Sequence, residues 1–428
     1  MRLLLCILAT ILLPLSTAAE VIPISLQEAI NRALRENPDL LLARAEERRA
    51  ALAVRVARDP FRPKVFAGSG LAYSSGFPMS IEGSAPSIVQ ARGIAQLFNR
   101  PTSYRVAQTT EQARTAEIDS RIKRDQVVAQ TALLFLDAAR WARVGESIRP
   151  QVDALARAAE TVQLRVREGR ELEIEAKRAA LAVAKTRHRL AQIEQEQDFA
   201  EASLGVVLGY APHQRPRPVK TDTLGLPTPD TEQQSVEQAL RESRDLRRLE
   251  STLLAKRHEQ RAYRAARLPT IDLVAQYALF GKFNNYEDFF RRFDRHNWQI
   301  GASIQVPVVP SSALSAQSAQ AETEISGLQT QLSQLRSRIA VDTQNAFRRA
   351  KLAETTRDLA RQDLALSREQ VDILLAQLEE GRATLRQLEN ARFEEQEHWI
   401  AFFDAQFGAE RARVDLLSLT GTLLAALQ

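Results

Sequence analysis

The chain has 428 residues and a formal charge of +5, with 16 Gly, 17 Pro and 6% aromatic residues. That length allows two or three ordinary domains, and the shortage of Gly and Pro beside abundant Ala, Leu, Arg, Glu and Gln favours long helices and coiled coils. Acidic and basic residues are interleaved, as from Arg44 to Arg49, so the charge describes solvated helix faces and excludes a concentrated nucleic-acid footprint.

Residues 1–19 have the pattern of a secretory signal. Arg2 supplies the positive region, Leu3 to Leu15 the apolar core, and Thr17-Ala18-Ala19 a small-residue cleavage site before Glu20. Cys6, the one cysteine, lies inside that core, so the exported chain is expected to hold neither disulfides nor thiolate metal sites. No later segment reaches the roughly 18 apolar residues of a spanning helix. If the chain crosses a membrane, it must do so with strands.

Residues 20–210 form a first block. Ser25 and Glu28 make a capping box ahead of a short helix, and Asn37-Pro38 interrupts it. Helix resumes from about Asp39 to Arg58 and stops at Pro60 and Pro63. A hairpin is expected at about 64–97, weakly patterned from Lys64 to Tyr73 and again from Ser87 to Leu97. From about Thr102 to Arg167 apolar residues recur at three and four, including Val127, Val128, Thr131, Leu134 and Phe135. At about 1.5 Å per residue this is roughly 100 Å of helix. Gly169 breaks it as a left-handed C-terminal residue would, and a returning helix runs from about Leu172 to Leu208. Residues 211–231, with Pro212, Pro216, Pro218, Pro227 and Pro229, form a proline-rich linker.

Residues 232–428 repeat the plan. Ser235-Val236-Glu237-Gln238-Ala239 echoes Ser25-Leu26-Gln27-Glu28-Ala29, and Pro269 echoes Pro63. Glu380-Gly381-Arg382 echoes Glu168-Gly169-Arg170, and Gly421 echoes Gly209. These later landmarks share one offset of about 212 residues, which points to an internal duplication. The hairpin of this half, about 270–306, is the cleaner one. Ile271, Leu273, Ala275, Tyr277 and Leu279 alternate with Asp272 and Gln276. Trp298, Ile300, Ala302 and Ile304 alternate with Gln299, Ser303 and Gln305. Nine or ten residues suit a tilted membrane strand. Four strands cannot close a barrel, and an open edge is not tolerated in lipid, so several chains must pool their hairpins. Ile271, Leu273, Tyr277, Trp298 and Ile300 would then face lipid, and Asp272 and Gln276 water. The competing expectation is a soluble sheet whose greasy face is core.

The entry run Ser25-Leu26-x-Glu28-Ala29-Ile30-x-x-Ala33-Leu34-x-x-Asn37-Pro38-x-Leu40, the Arg264-x-x-x-Leu268-Pro269 run into a strand and the two glycine turns together resemble the TolC-type outer-membrane efflux proteins, over nearly all of the chain after the signal. The resemblance implies a mainly α fold with a small β part. It implies a homotrimer, a twelve-stranded transmembrane β-barrel shared by the chains, and an α-barrel of long antiparallel coiled-coil helices across the periplasm. It implies a passive exit duct, not an enzyme, in a tripartite efflux pump or a type I secretion system. Its partners would be a periplasmic adaptor (membrane fusion) protein and an inner-membrane pump. The adaptor would dock on the glycine turns, at Gly169, Arg170 and Leu172 and at Gly381, Arg382 and Thr384, although arginine follows each glycine where the family has an apolar or small residue. The periplasmic constriction would lie at Glu175, Gln387 and Asn390, where two expected acids are amides and Glu389 sits on another helix face. The rival from a different class is a periplasmic coiled-coil scaffold or adaptor, which would carry one helical hairpin and a soluble β domain. No catalytic, cofactor or metal motif is expected: Glu395-x-x-His398 has no second copy to complete a di-iron site, and no phosphate loop appears.

Overall fold

The computed structural model describes residues 20–70, 87–219, 225–227, 229, 231–281, 294–308, 312–380, 382–383 and 385–427. The expected signal, Gly381 and Thr384 lie outside the described residues. Two compact units divide the chain. One comprises Met1–Leu41, Lys123–Ser243 and Ile339–Gln428, the other Leu42–Ile122 and Arg244–Arg338.

In chain order the elements are β1 (Glu20–Ile24), α1 (Leu26–Glu36), α2 (Pro38–Arg58), β2 (Lys64–Gly70), β3 (Ser87–Phe98), α3 (Arg100–Arg167) and α4 (Glu173–Val207). Then come β4 (Gln214–Pro218), α5 (Glu232–Glu242), α6 (Arg244–Ala265), β5 (Thr270–Phe280), β6 (His296–Gln305), α7 (Ser312–Glu379), α8 (Leu385–Leu419) and α9 (Leu423–Leu427). α1 to α4 and the described strands of both hairpins fall close to where the sequence patterns place them. α3 and α7 each have 68 residues, and α4 and α8 each have 35.

The first unit is assembled around the middle of α3. Val127 and Phe135 pack with Ala29 and Ala33 of α1 and with Leu204 and Leu208 at the end of α4. Val128 and Ala132, on the neighbouring stripe, pack with Ile30 of α1 and with Val414 and Leu417 of α8. α1 is held in place by its ends. Ser25 Oγ accepts from the Glu28 backbone N–H, and Glu28 Oε2 accepts from the Ser25 N–H at 3.0 Å, completing the capping box. The bond from the Ser25 N–H, and then one from the Ser25 hydroxyl at 2.8 Å from Glu28 Oε2, hold the Glu28 carboxyl below its ordinary value. Asn37 then serves two helices. Its N–H closes α1 on the Ala33 carbonyl, and its Oδ1 accepts from Leu40 N–H in the first turn of α2.

Asn37 also reaches outside these helices. Its Nδ2 donates to the Val207 carbonyl at 2.9 Å, and Arg32 Nε donates to the Leu208 carbonyl at 3.1 Å. The last carbonyls of α4, which have no partner within their own helix, are therefore capped by α1. The chain turns there through Gly209, at φ +69, with Tyr210 N–H bonded back to the Gly205 carbonyl.

Two features differ from the sequence patterns. The proline-rich segment is not wholly linker: β4 pairs in parallel with β1, from Glu20 opposite Gln214 to Ile24 opposite Pro218. Pro216 and Pro218 share parity, and the neighbouring odd positions carry the ladder, as in Val219 N–H to the Ile24 carbonyl. The missing proline donors therefore point off the sheet, where they cost nothing. Arg217 of β4 anchors this strand on Glu201, a fully buried carboxylate of α4, through two bonds of 2.7 and 3.3 Å. The second feature is the start of α5. Thr231 is its cap, bonded by Gln234 N–H, while Ser235 lies one turn inside and is buried. The residue that corresponds to Ser25 by role is Thr231.

In the second unit α6 packs on α3 through small and polar contacts. Buried Ser251 donates to the Glu111 carbonyl, and Arg248 pairs with Asp119 at 2.7 Å. β2, β3, β5 and β6 form one antiparallel sheet in the order β2-β3-β5-β6.

Gly209 and Gly169 have nearly the same left-handed φ, but a Cβ at Gly209 would meet the Glu36 carbonyl oxygen at 3.0 Å, whereas nothing lies within 4 Å at Gly169. Gly169→Ala should cost only the left-handed backbone penalty, about 1–2 kcal/mol. Gly209→Ala should cost clearly more, because it also pushes α1 away from the α4 carbonyls. Thermal melts of the two variants followed by circular dichroism check this. Equal shifts would show that the Glu36 contact carries no weight.

Candidate functional site

Strand pairing puts residues of one kind on each face of the sheet. Tyr277 lies opposite Trp298 on one side and Ala91 on the other. Leu273 lies between Ala302 and Ala95, and Ala275 between Ile300 and Gly93. Val65 and Ala67 extend the same face onto β2. The opposite face carries the row Gln299, Gln276 and Arg92 and the row Ser303, Asp272 and Gln96. Phe66, Ile94, Val274 and Ala278 are the apolar exceptions there. One face is thus apolar across four strands and the other largely polar.

The apolar face is not a core. Leu273 is 40% exposed, Ile300 68% and Trp298 73%, with Val65, Tyr277 and Ile304 also exposed and Ile271 half-buried. The polar-face residues Asp272, Gln276 and Ala278 are the more sheltered ones in β5. β2 and β6 are exposed on both faces, so the greasy face does not pack inside as the competing expectation of a soluble sheet had it. Toward the end of β5 and the start of β6 the Tyr277 hydroxyl meets His296 Nδ1 at 2.9 Å, beside Trp298. Among the described residues, the outer edges of β2 and β6 have no strand partner.

The two turns between long helices are built alike. At the first, Gly169 has φ +70, its N–H bonds the Val166 carbonyl, and Arg170 N–H bonds the Arg165 carbonyl at 2.8 Å. At the second, Arg382 N–H bonds the Gln377 carbonyl at 2.8 Å. The first is the bond pattern of a helix closed by a left-handed residue, and the second shares its long closing bond. Each arginine folds onto the glutamate two positions before it, Arg170 onto Glu168 and Arg382 onto Glu380. Leu172 caps α4 in an extended conformation without a side-chain bond and is largely exposed.

Glu175 sits in the first turn of α4, where the helix dipole favours negative charge, and pairs with Arg178 at 2.5 Å. Gln387 and Asn390 are exposed on α8. The carboxylate that feels the Glu175 charge is Glu389. Burial, then the Glu175 charge, hold its carboxyl above the ordinary value of 4.5, against the pull of Arg392. The family resemblance pointed to Glu175 beyond the first glycine and to Gln387 and Asn390 beyond the second. It gave no sign that α8 turns Glu389 toward α4, since that depends on how the two helices pack. No group of residues able to hold a metal ion occurs among the described residues.

No protein-family model matches the chain, and no curated protein matches it in sequence. Solved structures do match. The Campylobacter jejuni CmeC outer membrane channel superposes with a TM-score of 0.77 at 12% identity, over 93% of this chain and 86% of its own. The outer membrane protein VceC from Vibrio cholerae gives 0.72 at 16% identity, over 92% of this chain and 96% of its own. The open state of the Neisseria gonorrhoeae MtrE outer membrane channel gives 0.70 at 16% identity, over 93% and 89%. At such identities the likeness is one of fold, and it spans nearly the whole of both chains: this chain has the fold of the TolC-type outer-membrane channels.

Proposed function

We propose that the protein is a passive exit duct in the outer membrane, reaching into the periplasm and serving a tripartite efflux pump or a type I secretion system. The observation that carries this reading is the sheet whose apolar face lies exposed, with none of the described residues packed over it. Hydrocarbon is the environment such a face fits, and the polar face with Asp272, Gln276 and Arg92 then lines water. The free edges of β2 and β6 would be satisfied by neighbouring copies, because lipid leaves no unpaired backbone donor or acceptor tolerable. Three copies would give a barrel of twelve strands, within the known size range. The matched lengths of α3 with α7 and α4 with α8, on either side of two hairpins, support an internal repeat. A soluble periplasmic scaffold fits less well, since it would leave the same face in water.

The turns at Gly169, Arg170 and Leu172 and around Arg382 would receive a periplasmic adaptor, which in turn joins an inner-membrane pump. Glu175, with Gln387 and Asn390 beyond the second turn, would stand at the narrow end of the duct. We add Glu389 to this set, because the Glu175 charge helps raise its carboxyl. Fractionation tests the whole reading. Outer-membrane recovery, a heat-sensitive trimer and conductance in planar bilayers are expected. Protein that stays dispersed without detergent would sink it.

The two faces should respond oppositely to charge. Leu273→Lys places a cation toward lipid and should lower membrane assembly by about 2–4 kcal/mol at mid-depth. Gln276→Lys, three residues along the same strand on the opposite face, should insert normally and shift conductance toward anions. Assembled protein in the outer-membrane fraction and single-channel reversal potentials measure the pair.

Glu389 makes a pH prediction. Its raised carboxyl binds a proton more tightly in the folded protein than in the unfolded chain, so its contribution to stability falls as pH rises. The loss starts near the ordinary value of 4.5 and is complete above the folded value. Glu175→Gln removes one cause of the shift. The variant should lose less melting temperature between pH 4.5 and neutrality, and its channel should be less cation-selective. Identical pH profiles and selectivity in the two proteins would exclude an electrostatic pairing of these glutamates.

A further inference from the structure

The border between sheet and helices in the second unit carries a one-sided charge. On the helical side of the four strand ends lie residues 54–63, 99–108, 260–269 and 306–315. Together they hold eight arginines and one acid, Asp59, an excess of seven. The connections at the other strand ends, 71–86 and 281–295, hold four basic and four acidic residues. The whole chain, with 58 basic and 53 acidic residues, is nearly balanced, so the excess belongs to this border.

The protein does not use up this charge itself. Asp59 is taken by Lys64 at 2.6 Å, and Arg264 reaches Glu322 of α7 at 3.3 Å. The other seven arginines form no ion pair among the described residues, and all eight are exposed. Helix dipoles explain only a part. They favour cations in the last turns of α2 and α6, where Arg55, Arg58 and Arg264 lie. They disfavour Arg100, the first residue of α3, while Arg62 and Arg267 lie outside the α-helices.

What the arginines share is their place against the sheet. Phe98, Ile271 and Ile304 form the row of the apolar face nearest the helices. The Arg100 guanidinium lies 5.7 Å over the Phe98 ring, at the point where that face ends. At 1.5 Å per helical residue, ten residues put the farthest arginine about 15 Å from the strands. A headgroup layer about 5–8 Å deep beyond the hydrocarbon, with a screening length of about 8 Å, covers that distance. The long side chains shorten it further.

We propose that this collar binds the headgroups of anionic phospholipids in the leaflet on the helical side of the bilayer. The apolar face holds the acyl chains, and the guanidinium groups below it pair with phosphate oxygens in forked hydrogen bonds. Each basic group at an anionic surface strengthens the attraction about fivefold. The opposite border has no charge excess and makes no such selection. The proposal deepens the duct reading and rests on it for the bilayer.

Lipid retention tests it. The full channel is equilibrated in mixed micelles of equal phosphatidylcholine and phosphatidylglycerol, washed, and its retained lipid counted. Phosphatidylglycerol should exceed phosphatidylcholine about fivefold or more at about 0.1 M salt, and the ratio should be even at about 1 M. Arg58→Gln, Arg62→Gln and Arg267→Gln together should bring the ratio close to even at low salt. Arg157→Gln, Lys351→Gln and Arg361→Gln, the same charge change far along α3 and α7 from the strands, should leave it unaltered. The salt comparison needs only the unaltered protein. No preference there, a preference indifferent to salt, or an equal loss in both triple variants overturns the collar. Conductance in planar bilayers reads the duct separately. A conducting channel without the lipid preference overturns the collar alone, and the preference in protein that never conducts upholds the collar and overturns the duct. Protein that neither conducts nor prefers overturns both.

Discussion

Backbone hydrogen bonding in a medium without water is the constraint from which the rest follows. A strand in hydrocarbon must pair on both sides, and the described sheet pairs its inner strands while leaving β2 and β6 with one side each. The side chains obey the same solvent. Alternation along β5 and β6 sorts Leu273, Tyr277, Trp298 and Ile300 to one face and Asp272, Gln276 and Gln299 to the other, and the register aligns these sets across all four strands. An isolated chain exposes the apolar set, so the sheet is a part that awaits its surroundings.

The helical unit solves a different problem. Long helices bury their stripes against each other, but their ends leave carbonyls without partners. Here Arg32 and Asn37 supply those partners to Leu208 and Val207 from a different helix. The same asparagine ends α1 and starts α2. One small amide therefore ties three helices, and the positive φ of Gly209 brings the α4 end close enough for it to reach.

Much of this was legible in the sequence, and what was not has physical reasons. Period two gave both hairpins, because a sheet with unlike faces writes its register in alternate residues. Periods of three and four with few prolines gave α3 nearly to the residue. β4 was hidden because proline density usually means irregular chain, and the rule fails when the prolines occupy only the positions that point off the ladder. The cap at Thr231 was hidden because Ser235-Val-Glu-Gln-Ala imitates the earlier motif one turn out of phase. Buried Ala29 and Ala33 match Ser235 and Ala239 by position in their helices, which side-chain identity alone did not reveal. The approach of Glu389 to Glu175 depends on packing between helices far apart in sequence, and no local pattern records it.

The free borders of β2 and β6 are unlike: one belongs to a short strand that begins at Lys64, the other to a strand that carries Trp298 and Ile300. Copies joined through such borders form a row with a beginning and an end, and the row stops growing only when bending brings the last border to the first. Stoichiometry is then a property of angle. A change that tightened or flattened the coil of the ribbons would alter how many subunits complete the circle before it disturbed any one junction.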